Sequence, residues 1–336
     1  MRHTAGLFVR AALVLCAVGI FALLSAYVIF DHLRHANGPH TADAYFYVKP
    51  GAQPDYLAAR LEQEGLIASA EHYKWLHRWY QLPFTQPFMP KIGEYAIPAG
   101  ASLTEIALIF HKGVSVQRRI TFPEGLTTNQ IIERIENAIG LEGTIPDVIN
   151  EGVLFPDTYF YQYGMKKVDI IHRMQAKMEM ELAQSWAQRA EGLPYKTAQE
   201  ALIMASIIEK ETGVSGERTL VASVFVNRLK LGMRLQSDPT VIYGVGQTGV
   251  PNYAITKSDL NAVNDYNTYK IKALPAGPIA NPGRASLEAA LNPAVSEYLY
   301  FVANGDGGHF FSKNLDEHNK NVRKYREIVS KVKIKK

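Results

Sequence analysis

Residues 11–30 read AALVLCAVGIFALLSAYVIF, twenty consecutive positions without a charge. As a helix such a run is ~30 Å long, which matches the hydrocarbon core of a bilayer. Arg2 and Arg10 precede it and Asp31 follows it, a balance that favours a cytoplasmic N-terminus. A cleaved signal peptide would carry an apolar core of ~7–15 residues with a small-residue cleavage site soon after. Ala42-Asp43-Ala44 has that shape but lies too far downstream, and Leu15 before the lone Cys16 argues against lipoprotein cleavage. The run is therefore read as an uncleaved anchor, residues 11–31. Residues 1–10 form a cytoplasmic tail, and everything after Asp31 lies outside the cytoplasm.

With 336 residues the chain has room for two or three folded units. Its 47% hydrophobic and 20% charged residues are ordinary for a globular protein. A net charge of +4 falls far short of a nucleic-acid-binding surface, and the basic tail KVKIKK is read as a solvated helix end. No cysteine follows the anchor, so that part has neither disulfides nor thiol chemistry and must fold on its hydrophobic core.

Residues 32–44 begin with polar HLRHANGPHT and are assigned as a tether. Three segments then repeat one order: a strand, a turn favoured by Pro and Gly, and a helix stopped by Gly. They are residues 45–67 (YFYVKPGAQPDYLAARLEQEGLI), 94–114 (EYAIPAGASLTEIALIFHKGV) and 119–140 (RITFPEGLTTNQIIERIENAIG). Between the first two lies EHYKWLHRWYQLPFTQPFMP, read as a core helix and packed loop. Its alternative is a sugar-stacking surface, because aromatic faces suit the apolar side of pyranose rings. The strand–helix unit loosely resembles a LysM-like module, a small glycan-associated fold. From Glu151 the texture changes to an aromatic strand or loop (EGVLFPDTYFY), a long helix over residues 165–191, and a helix between Gly216 and Gly232. Beyond Gly232 the chain is loop-rich, as in many binding clefts, until the strand-like YLYFVAN and a final helix from Asn314.

Thr197 opens a helical stretch, TAQEALIMASIIEKETG, that stops at Gly213. At ~100° per residue, Ala198, Ala201, Leu202, Ala205 and Ile208 form one stripe, and Glu209 projects into its middle. A carboxylate among aliphatic neighbours loses hydration in its charged form, so its pKa rises. It can then hold a proton near neutral pH and deliver it, as a general acid must. The alternative is a buried Glu paired with an Arg in a structural ion pair. Glu211 faces away and is read as a salt-bridging residue.

The stretch over residues 205–244, ASIIEKETG…ERTLVASVFVNRLKLGMRLQSDPTVIYG, closely resembles the endolytic murein transglycosylase family, the MltG or YceG-like proteins. EGVLFPDTY, YNTY, LPAGPIANPG and YLYFVANGDGGHFFS match as well, as does the order of anchor, LysM-like unit and catalytic domain. The resemblance implies an α+β fold: an N-terminal transmembrane helix, a small LysM-like α/β module over residues 45–118, and a helix-centred catalytic domain over residues 119–336. By analogy its cleft would be lysozyme-like. Glu209, the first Glu of E-K-E-T, would be the catalytic acid of a lyase acting on nascent peptidoglycan. The MurNAc–GlcNAc β-1,4 bond would break without water, leaving 1,6-anhydro-MurNAc ends and terminating strand elongation. The family also implies an inner-membrane protein with a periplasmic catalytic domain, glycan strands as substrate and peptidoglycan synthases as partners. Ordinary glycosidases need two carboxylates. Here the sugar's own hydroxymethyl oxygen is the nucleophile, so one Glu can act as acid and then as base. Neither a metal nor a cofactor is called for, since there is no HExxH and no cysteine cluster.

Other residues are candidates for binding the glycan. Glu217, at a helix N-terminus, is either a helix-dipole carboxylate or a cleft residue. Asn227 is counted with the cleft, and Arg228 as a structural partner for a carboxylate. Gln236, Ser237, Asp238 and Thr240 sit in a loop where they either bond sugar hydroxyls and N-acetyl groups or hold the loop together. Tyr266, Asn267 and Tyr269 suit a glycan subsite, with turn packing as the competing role. His309 and His318 are read as histidines satisfied by backbone groups. A different class of function is a non-catalytic, membrane-tethered peptidoglycan-binding scaffold. The apolar setting of Glu209 argues against it, because a binding module gains nothing from burying an unpaired acid.

Overall fold

The computed structural model describes residues 2–83, 85 and 88–334. Phe84, Gln86 and Pro87 of the aromatic stretch, and Lys335 and Lys336 of the basic tail, lie outside the described residues. The chain divides into two compact units, residues 1–118 with 162–164, and residues 119–161 with 165–336.

The first unit runs α1 (Arg2–His35), β1 (Ala44–Val48), α2 (Pro54–Gln63), α3 (Ala70–Trp79), β2 (Gly93–Ile97) and α4 (Leu103–Lys112). Within α1, Arg10–His35 is long and apolar enough to cross a membrane, and the rest of the chain does not bury it. The helix does not give way to a flexible tether after Asp31. It continues to His35, with the Trp79 ring 5.9 Å from Tyr27 and 5.6 Å from Phe30. Gly38 N–H then donates to Gly100 O and Gly100 N–H to His40 O, at 3.0 and 2.8 Å. Strands β1 and β2 pair antiparallel, from Ala44 opposite Ile97 to Val48 opposite Gly93. Their inward faces close on Leu57, Leu61, Tyr73, Ile106 and Phe110. The aromatic stretch is divided: Tyr73, Leu76 and Phe88 enter this core, while Trp75 stays 46% exposed.

The second unit runs β3 (Arg118–Thr121), α5 (Thr128–Glu136), β4 (Thr158–Tyr161), α6 (Lys167–Ala187) and α7 (Ala198–Glu211). A 3-10 turn (Ser215–Glu217) leads to α8 (Arg218–Lys230), α9 (Asp238–Gly244), α10 (Lys257–Asn261) and α11 (Arg284–Leu291). The hairpin β5 (Tyr300–Ala303) and β6 (His309–Ser312) precedes α12 (Leu315–Ile334). The fold is thus mixed, with the strands in three two-stranded pairs among the described residues. All three strand–turn–helix repeats form, because local chemistry specifies them. Ser102 with Glu105 and Thr127 with Gln130 build reciprocal capping boxes at α4 and α5, and Pro54 opens α2.

Helix α7 departs from the one-sided stripe. All eight residues from Ala201 to Ile208 are buried, including Ile203, Met204 and Ile207, which lie off that stripe. Neighbours on several sides, α6, α8, α9 and α11, account for this. A helix apolar all round belongs inside a core, so its pattern carries no facing information. Only the last turn emerges, where Glu209 is half-buried and Lys210 exposed.

Distant loops are locked beside that turn by Asn281, which is fully buried. Its Nδ2 donates to Leu126 O, Thr128 Oγ1 and Glu151 Oε1 at 3.1, 3.2 and 3.0 Å. Its Oδ1 accepts Leu154 N–H at 2.8 Å. Glu151 also accepts the backbone N–H and hydroxyl of Thr128, at 2.8 and 2.9 Å. Burial raises the pKa of Glu151, and the Thr128 bonds oppose that shift. Removing one member of such a network strands buried partners without hydrogen bonds. Asn281→Ala is therefore expected to lower the unfolding free energy by about 3 kcal/mol, measurable by urea denaturation.

Candidate active site

Glu209 leaves the core at the end of α7 with its side chain only 6% exposed. Its Oε2 accepts the backbone N–H of Gly283 at 2.9 Å, and its Oε1 lies 3.8 Å from the Arg218 guanidinium. The surroundings are therefore more polar than an aliphatic stripe would provide: one aimed backbone donor and one cation at the start of α8. The arginine lies beyond ordinary hydrogen-bond reach, and its Nε is buried without a partner among the described residues. This is not the bidentate pair of a purely structural ion pair.

Two turns roof the acid. In the Pro-Glu-Gly turn after β3, Gly125 takes a left-handed φ of 77°, and a Cβ there would come 3.5 Å from Glu209 Cγ. Lys210 Nζ fastens this turn by donating to Gly125 O at 3.1 Å. The second turn, Asn281 to Gly283, is tied to the first by Gly125 N–H to Asn281 O (2.9 Å) and Asn281 N–H to Leu126 O (2.8 Å). Two grooves adjoin. One of about 460 Å³ is lined by Gln184, Gln188, Arg218, Arg284, Glu288 and Asn292. The other, about 260 Å³, is lined by Lys210, Pro239, Gln247, Asn252 and Tyr253 among others. Residues in contact with or next to Glu209 thus border both.

The expected sugar-binding residues separate into two groups. Ser237, Thr240 and Asn267 are buried, at 1%, 0% and 0% exposure. Thr240 donates to Ser237 O at 2.7 Å, and Asn267 Nδ2 to Ala262 O at 2.6 Å, so both hold turns. Asn227 Nδ2 donates to Ser296 O and Tyr298 O at 2.9 and 3.0 Å. Glu217 accepts His309 N–H at 2.9 Å and faces His309 Nδ1 at 2.8 Å, fastening β6 to the start of α8. His309 therefore has a carboxylate partner rather than a backbone group. His318 stacks on Tyr300 with its Nδ1 unpartnered. These five candidate side chains are committed internally, and sequence alone cannot distinguish such loop-holding groups from ligand-holding ones. Gln236 and Asp238 remain exposed, with Tyr269 donating to Asp238 at 2.7 Å and Tyr266 beside Tyr243 at 4.8 Å. Gln236 also holds a left-handed φ of 51°, unusual for a residue other than glycine. Arg218, Gly125 and Gly283 escape sequence reasoning because turn chemistry alone explains a Pro-Glu-Gly or Pro-Gly pair.

Glu211 accepts a hydrogen bond from Ser237 Oγ instead of forming an ion pair. Arg228 spends its donors on Leu299 O and Leu235 O, both at 2.6 Å. Burial pushes the Glu211 carboxyl up to about 7, against the lowering effect of the Ser237 bond. A folded-state pKa above the unfolded one contributes stability that is complete below about pH 4.5 and is lost as pH rises through about 7. That window is worth about 3 kcal/mol, and Glu211→Gln should flatten it. Denaturant melts of both proteins at pH 5 and pH 8 check this: the native chain should lose stability between them relative to the variant.

Comparison with known proteins places the architecture. The YceG-like family matches residues 46–324. A crystal structure of a YceG-like protein from Listeria monocytogenes has 29% identity and a TM-score of 0.54, covering 83% of this chain and 98% of that one. The endolytic murein transglycosylase of Bacillus subtilis is 38% identical over 212 residues, 62% of this chain and 54% of the relative. The endolytic murein transglycosylase of Streptococcus pneumoniae serotype 2 is 28% identical over 261 residues, 71% and 46% of the two chains. The chain spans about half the length of these curated relatives. With a match that runs from β1 to α12 across both units, the chain belongs to the YceG-like family.

Proposed function

We propose that this protein is an endolytic murein lytic transglycosylase in which Glu209 is the proton carrier. The observation that carries the proposal is the nearly buried Glu209 carboxylate, held by Gly283 N–H beside Arg218, with one groove bordered by Arg218 and another by the neighbouring Lys210. Grooves bordered by Arg218 and by Lys210 suit an enzyme that must hold several sugars of a strand near its acid. Glu209 protonates the departing GlcNAc O4 as the bond to MurNAc C1 breaks. Its carboxylate then takes the proton from the MurNAc C6 hydroxyl as that oxygen closes on C1, giving the anhydro ring and restoring the acid. Exposed Gln236 and Asp238, with the half-buried Tyr266 and Tyr269, are the proposed sugar contacts. The names of the curated relatives support this chemistry.

In the same proposal, α1 anchors the protein in the cytoplasmic membrane with its N-terminus inside, and the chain after α1 faces the periplasm. The β1–α2–α3–β2 order, with its antiparallel strand pair, supports a LysM-like first unit, and the groove around Glu209 would be the counterpart of a lysozyme-like cleft. Peptidoglycan synthases are the proposed partners. A non-catalytic scaffold would have no use for a desolvated carboxylate.

Glu209→Gln preserves shape and the Gly283 contact but removes the titratable acid. Release of anhydro-ended fragments from murein should fall by about 10²–10⁴-fold while the melting curve stays unchanged. Mass spectrometry of the products reads the outcome. Normal activity in the folded variant would overturn the role of Glu209, and reducing MurNAc ends would indicate a hydrolase.

A further inference from the structure

The first helical residue of α11 follows Gly283, whose φ of −81° any residue adopts. The space beside its Cα is taken by a side chain. A Cβ at 283 would fall 1.7 Å from Glu124 Oε1 and 2.1 Å from its carboxyl carbon. The Glu124 carboxylate thus lies flat on the same residue whose N–H holds Glu209. Glu124 sits on the Pro-Glu-Gly turn, open to solvent as a residue but with its carboxyl partly desolvated against Gly283.

We propose that Glu124 is a positioning residue of the reaction, its carboxyl set against Gly283 so that its negative charge stands beside Glu209 and favours the acid form of that carboxyl before substrate is cleaved. This rests on the reading of Glu209 as proton carrier. Two carboxylates gathered on one residue resist being ionised together, so each raises the proton affinity of its neighbour. The charges facing the pair are few: Lys210 from α7, whose ammonium is drawn to Gly125 O, Arg218 from α8, and Arg284 from α11, which is paired with Glu181. The pKa of Glu124 is raised by burial and then by Glu209, and lowered by Arg218. Substrate entering the adjoining groove displaces water and strengthens the coupling, arming the acid as the glycosidic oxygen arrives.

The test is the pH dependence of anhydro-product release by the full chain, comparing the native protein, Glu124→Gln and Glu124→Asp. Loss of the neighbouring charge should move the alkaline limb of the Gln variant to lower pH. Its activity should stay within about twofold of native at pH 5 but fall about tenfold below it at pH 8. The Asp variant, which keeps the charge, should recover most of the loss at pH 8. In parallel, NMR titration of the ¹³C-labelled Glu209 carboxyl should shift to lower pH in Glu124→Gln, a readout that does not depend on turnover. Superimposable profiles and titrations, or a uniform loss at every pH with an unmoved Glu209 titration, would overturn the pairing. Full activity in Glu209→Gln would instead remove the proton carrier itself, so the two failures are distinguishable.

Discussion

Everything at the site depends on α7 being enclosed for two full turns and released for one. Because Ala201 through Ile208 pack on all sides, the helix cannot roll or slide, and the last turn is delivered to the surface at a fixed angle. Glu209 gains from that rigidity. A carboxylate on a mobile loop could not keep a 2.9 Å bond to one backbone N–H at an angle that leaves its other oxygen free for an incoming group.

The roof over Glu209 comes from segments more than 70 residues away in either direction, and polar bonds join them. Asn281 ties the Leu126 turn, Thr128, Glu151 and Leu154 together, so the motifs around Glu151 and Asn281 meet as one clamp. Such a network is stable only when every buried member is satisfied, which sets the spacing of the two turns. Gly125 and Gly283 then follow from the close approach that the clamp enforces. The first takes a left-handed φ, and the second has the Glu124 carboxyl against it.

Local features were the most legible. The three strand–turn–helix repeats form where Pro, Gly and capping residues place them, since each signal acts within a few residues and does not depend on the rest of the chain. The stripe on α7 was misleading in detail, because a helix buried all round has no apolar face to read. The segment after the anchor has more local structure than its composition suggests. Polar, Gly- and Pro-containing sequence looks mobile, yet Gly38 and His40 are bonded to the Gly100 turn. Among the loop candidates, hydroxyl and amide side chains suit both sugar contacts and turn-holding, and burial alone separates Asn267 and Thr240 from Gln236 and Asp238.

By itself the sequence showed a long apolar run near the N-terminus, the points at which the capped helices begin, and that Glu209 stands at the end of a helix with family motifs around it. Those are consequences of hydrophobicity and short-range hydrogen bonding, which a chain carries in its order of residues. Only the tertiary structure decided what faces Glu209. The Gly283 donor, the Arg218 cation and the Glu124 carboxylate lie 74, 9 and 85 positions from it in the chain. Their convergence depends on packing and on a clamp of buried polar groups, neither of which has a local signature.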